Sequence, residues 1–398
     1  MDQAHRWLNE NPSLGTGPIP IEPYISKSYY DAECDKIFRQ VWLCVGRVEE
    51  LPRPGDYKVK RIEVANTSAI LIRGKNEEIR AYHNMCAHRG NTVVTESGEE
   101  TFGGNRAAVL TCRFHGWVYG ADGELKSVPQ ERRFYPCFHK NENGLTPIHC
   151  DVWNGFIFIN LSEAPATDLR QFLGLYADHL DGYPFAEMDY EFKYHTYLNC
   201  NWKVAHDAFA EAYHVDTIHA GSFPNTFSSG LQNVKLLGPH RTCAVCLTAD
   251  ATPTRIGALA NSLARGSLTT VEGKTSVLPS TINPDGRGDF AFELGVLFPN
   301  TLIHVSEGIW FTHQFWPMAH NRTLWEGRYY VRAPKTHSER WALEHAMILQ
   351  RNAWLEDTAT MEATQRAMES GAKRFQILQD DEILIRHGAA VVDQYVNG

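Results

Sequence analysis

The sequence predicts an α+β protein, in which a small all-β region precedes a larger region of antiparallel sheet wrapped by helices. Short runs of β-type residues, broken by turns, extend from residue 42 to about residue 160. Strand-type runs return between residues 290 and 332, and the pattern becomes helical from residue 337 to about residue 370. The order of these elements predicts three parts, which are residues 1–40, 41–160 and 161–398.

The first part is predicted to be a helical segment that packs with the third part. The apolar side chains near its end have helical spacing, and they are Tyr30, Cys34, Ile37, Phe38 and the adjoining Val41. The boundary between the second and third parts is placed near residue 161, because the sequence from Ala164 has the features of a turn and a helix start.

The composition is that of a globular protein. The chain has 398 residues, of which 43% are hydrophobic, and this favours two to three domains with a sizeable core. Its formal net charge is −9 and its Lys and Arg residues form no long run, so nucleic acid and anionic membranes are not expected partners. There is no signal-peptide pattern and no run of 18 apolar residues, which favours a soluble, cytoplasmic protein. Nine scattered cysteines favour reduced thiols or metal ligands over a secreted disulfide framework.

Two short motifs in the second part each offer one thiolate and one imidazole, followed by a glycine. They are Cys86-Ala-His88-Arg-Gly and Cys112-Arg-Phe-His115-Gly. A structural zinc site is one interpretation, because Cys₂His₂ sets also hold zinc, but such sites usually pair Cys with Cys and His with His. The mixed motifs favour a Rieske [2Fe–2S] cluster, in which two Cys hold one iron and two His hold the other.

The stretch from Asn201 to His219 concentrates metal-capable side chains on what the sequence predicts to be one helix. Glu211 and His214 are three residues apart and would share a face, with Asp207 one further turn back. His219 could meet His214 on one ion only if the helix bends or ends between them. Two histidines and a carboxylate from elsewhere form the face that holds non-haem Fe(II) and leaves positions open for dioxygen.

The carboxylate of this second site is predicted to come from a later helical segment. Asp357 lies in the run Glu-Asp-Thr-Ala-Thr-Met-Glu, residues 356–362. The alternative is a solvated helix face, because several carboxylates cluster there. Together with the two histidines and the Cys/His motifs, the metal-ligand interpretation of Asp357 is favoured.

Two further features lie between the metal motifs and the late helix. The spacing Cys243-Ala-Val-Cys246 is that of a redox motif, but no helix is predicted after it, so buried strand cysteines are favoured. Residues 220–290 are rich in Gly, Ser, Thr and Pro, and we predict a mobile lid or pocket rim there.

These motifs make the chain resemble the catalytic α subunits of Rieske non-haem iron oxygenases, which include the aromatic-ring-hydroxylating dioxygenases. The resemblance covers nearly the whole chain and includes Asn201-Trp-Lys and Ala212-Tyr-His214. It implies a Rieske β domain beside a START-like catalytic domain. The ligands it implies are Cys86, His88, Cys112 and His115 for the cluster, and His214, His219 and Asp357 for mononuclear Fe(II).

The resemblance also implies an enzyme that depends on electron-transfer partners. Electrons from NAD(P)H would arrive through a flavin reductase, directly or by way of a ferredoxin. Oxygen from O₂ would be inserted into an apolar substrate, with an aromatic one favoured. A dioxygenase and a monooxygenase or demethylase share these metal ligands, so the sequence does not separate them. A non-catalytic Rieske electron-transfer or ligand-binding protein is the remaining alternative.

The family's subunit arrangement gives Glu211 a particular role. Members are typically homotrimers, with or without a small β subunit, in which the cluster of one subunit faces the mononuclear iron of the next. An acidic side chain just before the first iron histidine bridges the two centres, and Glu211 stands at that position. The family more often has Asp there, so Asp207 is the alternative bridge.

Overall fold

The computed structural model describes residues 5–249, 251, 253–268 and 278–398. The chain forms two compact units, one of residues 34–172 and the other of the segment up to residue 33 together with residues 173–398. The limits near residues 40 and 160 remain predictions of the domain boundaries. Within the described residues, no helix is long and apolar enough to cross a membrane.

The N-terminal elements are anchored by a buried glutamate. They are α1 (Arg6–Glu10), β1 (Ile19–Pro20), α2 (Glu22–Ile25) and α3 (Lys27–Glu33), and a π-helical turn, Cys34–Phe38, follows. Glu33 at the end of α3 is fully buried and accepts hydrogen bonds from Trp202 Nε1, at 3.0 Å, and from Lys203 Nζ. Since a buried carboxylate is stable only when it is paired and hydrogen-bonded, these contacts fix the segment onto the chain around residue 202.

The unit of residues 34–172 is built on antiparallel sheets. Its strands are β2 (Leu43–Arg47), β3 (Asp56–Ile62), β4 (Thr67–Arg73), β5 (Ile79–His83), β6 (Glu100–Gly104), β7 (Val109–Thr111), β8 (Val118–Gly120), β9 (Leu125–Ser127), β10 (Pro147–Trp153) and β11 (Phe156–Asn160). One sheet has the order β2-β11-β10-β5-β4-β3-β6 and the other the order β7-β8-β9. The core of the unit includes Cys86, Cys112 and Trp117, so the loops that carry both thiols are packed against it.

The other unit contains a seven-stranded antiparallel sheet and the longest helix. Its helices are α4 (Leu169–Leu180), which crosses the unit limit, α5 (Trp202–Asp207), α6 (Val215–Ile218), α7 (Arg255–Leu268), α8 (His337–Glu369) and α9 (Ile383–Asn397). Its strands are β12 (Tyr190–Leu198), β13 (Gln232–Leu237), β14 (His240–Cys246), β15 (Phe290–Leu297), β16 (Thr301–Ser306), β17 (Ile309–Ala319), β18 (Arg322–Val331) and β19 (Phe375–Gln376). The sheet order is β12-β18-β17-β16-β15-β14-β13, and β1 pairs with β19. The predicted α+β fold is confirmed.

The prediction of one helix from residue 201 to residue 219 is wrong. Helix α5 ends at Asp207, and α6 begins only at Val215. Between them, Glu211 accepts hydrogen bonds from the backbone N–H groups of Tyr213 and His214. A side chain that binds the two N–H groups just before α6 in this way favours a turn between the helices over continuation of α5.

The region predicted as a lid or pocket rim contains regular structure. Strands β13 and β14 and helix α7 lie within residues 220–290, while residues 250, 252 and 269–277 lie outside the described part of the chain. Cys243 and Cys246 are buried in β14, which confirms that they are strand cysteines.

Candidate metal centres

The first candidate centre lies on two loops, one after β5 and one between β7 and β8. In each loop a glycine N–H donates to the carbonyl of the cysteine four residues earlier, Gly90 to Cys86 at 3.0 Å and Gly116 to Cys112 at 2.9 Å. Both glycines have a φ of +73°, which residues with a side chain rarely adopt. The two loops therefore form similar turns and present their cysteine and histidine in similar ways.

The four donors of these loops form a sulfur pair and a nitrogen pair. Cys86 and Cys112 are buried, and their thiols interact with each other. The Nδ1 atoms of His88 and His115 lie 3.1 Å apart, and His115 is exposed. A Rieske cluster needs this separation, because one iron takes two thiolates and the other takes two imidazoles.

A single zinc ion does not fit the same donors. Tetrahedral zinc, with bonds of about 2.0–2.3 Å, would place all four donor atoms within about 4 Å of one another. Within the described residues, the one set of three or more His, Cys, Asp or Glu donors that all lie within 4.8 Å is His214, His219 and Asp357. The loop donors are not in it, so they fit two irons better than one ion.

A tyrosine hydroxyl contacts the sulfur pair. Tyr119 is fully buried, and its Oη lies 3.1 Å from Cys86 Sγ. The same Oη accepts the backbone N–H of Ala87 at 3.1 Å, so its own proton is free to point at the sulfur. Burial raises the pKa of Tyr119, and the hydroxyl stays protonated. Hydrogen bonds to ligand sulfurs are one of the means by which a protein sets a cluster's potential.

The second candidate centre lies between the ends of α6 and helix α8. The Nε2 atoms of His214 and His219 lie 3.4 Å and 3.2 Å from Asp357 Oδ1. Asp357 is 4% exposed, and in the described part of the chain this oxygen has no hydrogen-bond partner. A buried carboxylate oxygen without a donor, facing two imidazole nitrogens, fits a bound cation. Two nitrogens and one oxygen are the donor set typical of non-haem Fe(II).

Each of these two histidines is held by a second carboxylate. His214 Nδ1 contacts Glu211 Oε1, and His219 Nδ1 lies 3.0 Å from Glu356 Oε2. Glu356 also accepts a hydrogen bond of 2.6 Å from Ser222. Carboxylates that bind Nδ1 fix the ring orientation and turn Nε2 toward a metal. The sequence gives Glu356 no separate role, and its position beside Asp357 is the only signal of one.

Asp207 is engaged elsewhere. Its Oδ2 accepts a hydrogen bond of 2.7 Å from Tyr24, and its Oδ1 lies 3.2 Å from His206 Nδ1. Because α5 ends at Asp207, this carboxylate does not stack one turn behind Glu211 as the single-helix prediction required. Its role as the alternative bridge remains a prediction.

A β domain with paired Cys/His loops, together with a two-histidine, one-carboxylate site on a helix-wrapped sheet, defines a protein with two iron centres. Residues 41–143 match the Rieske [2Fe-2S] domain family, and residues 183–398 match the family described as ring hydroxylating alpha subunit (catalytic domain). The second match covers more than half of the chain. The chain belongs to this ring hydroxylating alpha subunit family, with its Rieske [2Fe–2S] domain and its mononuclear-iron domain.

The curated relatives include both monooxygenase and dioxygenase subunits. The carnitine monooxygenase oxygenase subunit of Acinetobacter pittii is 30% identical over 200 residues, which are 50% of this chain and 51% of that protein. The biphenyl 2,3-dioxygenase subunit alpha of Rhodococcus jostii is 33% identical over 211 residues, 52% of this chain and 43% of that protein. The chain spans about half the length of the curated relatives it matches.

Solved structures share the fold over almost the whole chain. A quaternary ammonium Rieske monooxygenase superposes with a TM-score of 0.75 at 21% identity, covering 95% of each chain. Naphthalene 1,2-dioxygenase from Rhodococcus sp. superposes with a TM-score of 0.73 at 18% identity, covering 98% of this chain and 96% of that one.

Proposed function

We propose that the protein is the oxygenase component of a multicomponent system. It takes electrons from an NAD(P)H-linked flavin reductase, directly or through a ferredoxin, and inserts oxygen from O₂ into an apolar, aromatic substrate. The convergence of His214, His219 and Asp357, in a chain that also carries the paired Cys/His loops, supports this proposal most directly. A Rieske protein that only transfers electrons would not need that second donor set.

The chain's own residues orient the two histidines of the second site. When bound, the cluster would supply single electrons and the Fe(II) would offer open positions for O₂. Glu211 and Glu356 hold the Nδ1 atoms of the two histidines, so that Nε2 of each remains available as a ligand. Phe209 and Trp354, close in sequence to His214 and Asp357, are buried against His313.

Aromatic ring hydroxylation is the form of the reaction that the packing favours. Phe209 stacks on His313 at 4.2 Å between ring centroids, and Trp354 lies 5.0 Å from the same imidazole. Flat aromatic surfaces beside the ligands suit a planar substrate. Monooxygenation or demethylation is the second candidate, because a carnitine monooxygenase subunit is among the relatives and aromatic rings also bind quaternary ammonium groups.

The proposed assembly is a cyclic homotrimer, with or without small β subunits. The loops of one subunit would face Glu211 of the next, because a heterologous interface repeated by threefold rotation closes into a ring. His115 is exposed and can meet another subunit, while the Glu211 carboxylate already holds His214. Glu211 would then hold both imidazoles and shorten the electron path between subunits.

Metal analysis and isotope labelling test the proposal together. The purified protein should contain iron beyond the two atoms of the cluster, and ¹⁸O from ¹⁸O₂ should appear in the product of an aromatic substrate when a reductase and NAD(P)H are supplied. Two product oxygens from one O₂ would indicate a dioxygenase, and one would indicate a monooxygenase. A protein with cluster iron only, and with no labelled product across an aromatic panel, would contradict the proposal.

A further inference from the structure

The face of the seven-stranded sheet that contacts α8 carries a row of apolar and aromatic side chains with one imidazole among them. Cross-strand pairing joins Leu294 to His304, His304 to Phe311, and Phe311 to Tyr329, so these four side chains share a face. The His304 ring stacks on Phe311 at 4.5 Å and meets the edge of Phe292 at 5.7 Å.

Ring contacts lead from this row to residues that lie close in sequence to the candidate Fe(II) ligands. His304 lies 5.3 Å from His313, which belongs to the next row on the same face. His313 in turn stacks on Phe209, two residues before Glu211, and contacts Trp354, one turn before Asp357. A planar substrate that reaches past Phe209 or Trp354 from the metal ligands would meet this face.

His304 lacks the hydrogen bonds that a buried imidazole normally makes. It is 3% exposed, and neither of its ring nitrogens has a hydrogen-bond partner among the residues that the structure describes. His313 differs, because its Nδ1 accepts a hydrogen bond of 3.1 Å from Trp325 Nε1. Burial lowers the pKa of His304 to about 3, so the ring is neutral and offers one N–H donor and one acceptor. Buried polar groups are rarely left unpaired, and one in this position indicates a missing partner.

Two carboxylates of the sheet point away from this face, whose charged side chain in β14 is the cation Arg241, paired with Val296. The register places Glu293 and Glu326 on the opposite face, where Glu293 pairs with His179 at 2.7 Å and Glu326 lies 3.4 Å from Lys193. The row that contains His304 therefore has no carboxylate to balance a cationic ligand. A neutral polar group, by contrast, can pair with an uncharged imidazole.

We infer that His304 is a specificity residue, which hydrogen-bonds a neutral carbonyl or hydroxyl substituent on an aromatic substrate. This inference rests on the proposed function, since it assigns the substrate class of the same site. It predicts that the protein discriminates between aromatic molecules of equal shape by their polar substituent, and that it does not select a quaternary ammonium group.

Isosteric probes test this inference without turnover. Acetophenone and α-methylstyrene differ in one position, where the first has a carbonyl oxygen and the second a methylene group. Their dissociation constants are measured by equilibrium dialysis with the iron-loaded protein. The ratio of the α-methylstyrene constant to the acetophenone constant should fall about tenfold from wild type to His304→Phe, which is the effect of one hydrogen bond. His304→Gln keeps a donor and an acceptor and should retain part of the preference.

Thr312→Val is the matched control. Thr312 is buried on a neighbouring strand but lies on the opposite face, paired with Ile303 and Arg328, so its replacement should leave the ratio unchanged. An unchanged ratio in both His304 variants would overturn the inference. The imidazole would then hydrogen-bond a buried water and not the substrate. Tighter binding of trimethylphenylammonium than of its neutral isostere tert-butylbenzene would overturn it as well. Oxygen uptake is measured separately, so selective binding without oxygen chemistry would contradict the proposed function and leave the binding role of His304 intact.

Discussion

The two metal centres are assembled in different ways. The proposed cluster ligands come from two short loops of one unit, and each loop is closed by the same N–H···O contact from a glycine to a cysteine. The mononuclear donors come from both ends of α6 and from α8, and Glu356 is 137 residues along the chain from the His219 that it holds. A centre built from local turns depends on a few adjacent residues, whereas a centre built by tertiary packing also depends on a carboxylate, Glu356, that no local motif identifies.

The largest expected effect is at Asp357. Asp357→Ala removes one of three donors, so mononuclear iron should be lost and turnover should become undetectable, while the visible absorption of the cluster stays that of wild type. Iron content, absorption spectra and product formation measure the three quantities. His214→Ala and His219→Ala should behave in the same way.

Glu362→Ala is the control on the same helix. Glu362 accepts hydrogen bonds from the backbone and side chain of Asn199 and does not belong to the donor set. We expect wild-type iron content from it. Full activity and full iron content in Asp357→Ala would show that the triad assignment is wrong.

Replacing Glu211 should separate the two centres functionally. Glu211→Gln keeps an acceptor for His214 Nδ1, so both centres and the trimer should persist, but electron transfer from the reduced cluster should slow by about tenfold or more. Stopped-flow absorption of pre-reduced protein in a single turnover measures this rate. Asp207→Asn should retain the wild-type rate, because Asp207 is bound to Tyr24 and His206. Wild-type rates in Glu211→Gln would rule out the bridge and make Asp207 the next residue to test.

Replacing Glu356 tests how much a contact from a distant part of the chain contributes to iron binding. Glu356→Gln weakens the support of His219 and should lower the affinity for Fe(II) about 10–100-fold, with the cluster unaffected. Titration of the metal-depleted second site with Fe(II) measures the affinity. An unchanged affinity would mean that Glu356 serves only as the hydrogen-bond acceptor of Ser222.

The sequence predicts the candidate ligands of both centres, including the distant Asp357, and misses the break in the helix and the carboxylate that holds His219. Cys86, His88, Cys112 and His115 are adjacent in two motifs, so spacing alone locates them. The break before His214 depends on Glu211 binding backbone N–H groups, and helical periodicity does not register such a contact. Glu356 looks like a surface carboxylate until the fold places His219 beside it.

Tyr119 has the smallest expected effect, and it concerns the local centre. Tyr119→Phe removes the hydrogen bond to Cys86 and should lower the midpoint potential of the cluster, because a donor to sulfur stabilises the more negative, reduced state. One hydrogen bond of about 1 kcal/mol corresponds to a shift on the order of 40 mV for one electron. Redox titration followed by EPR gives the potential. A potential equal to that of wild type would show that the hydroxyl does not donate to the sulfur.

Two kinds of iron, a cluster on the paired loops and a separate ion at the second site, are the basis of the proposed function. Low-temperature EPR of the dithionite-reduced protein, in wild type and in Asp357→Ala, distinguishes them when it is combined with iron, zinc and sulfide analysis of the same samples. We predict a signal with an average g below the free-electron value in both proteins, and less iron in the variant only. An EPR-silent protein that contains zinc, or an equal iron content in the two samples, would contradict the account.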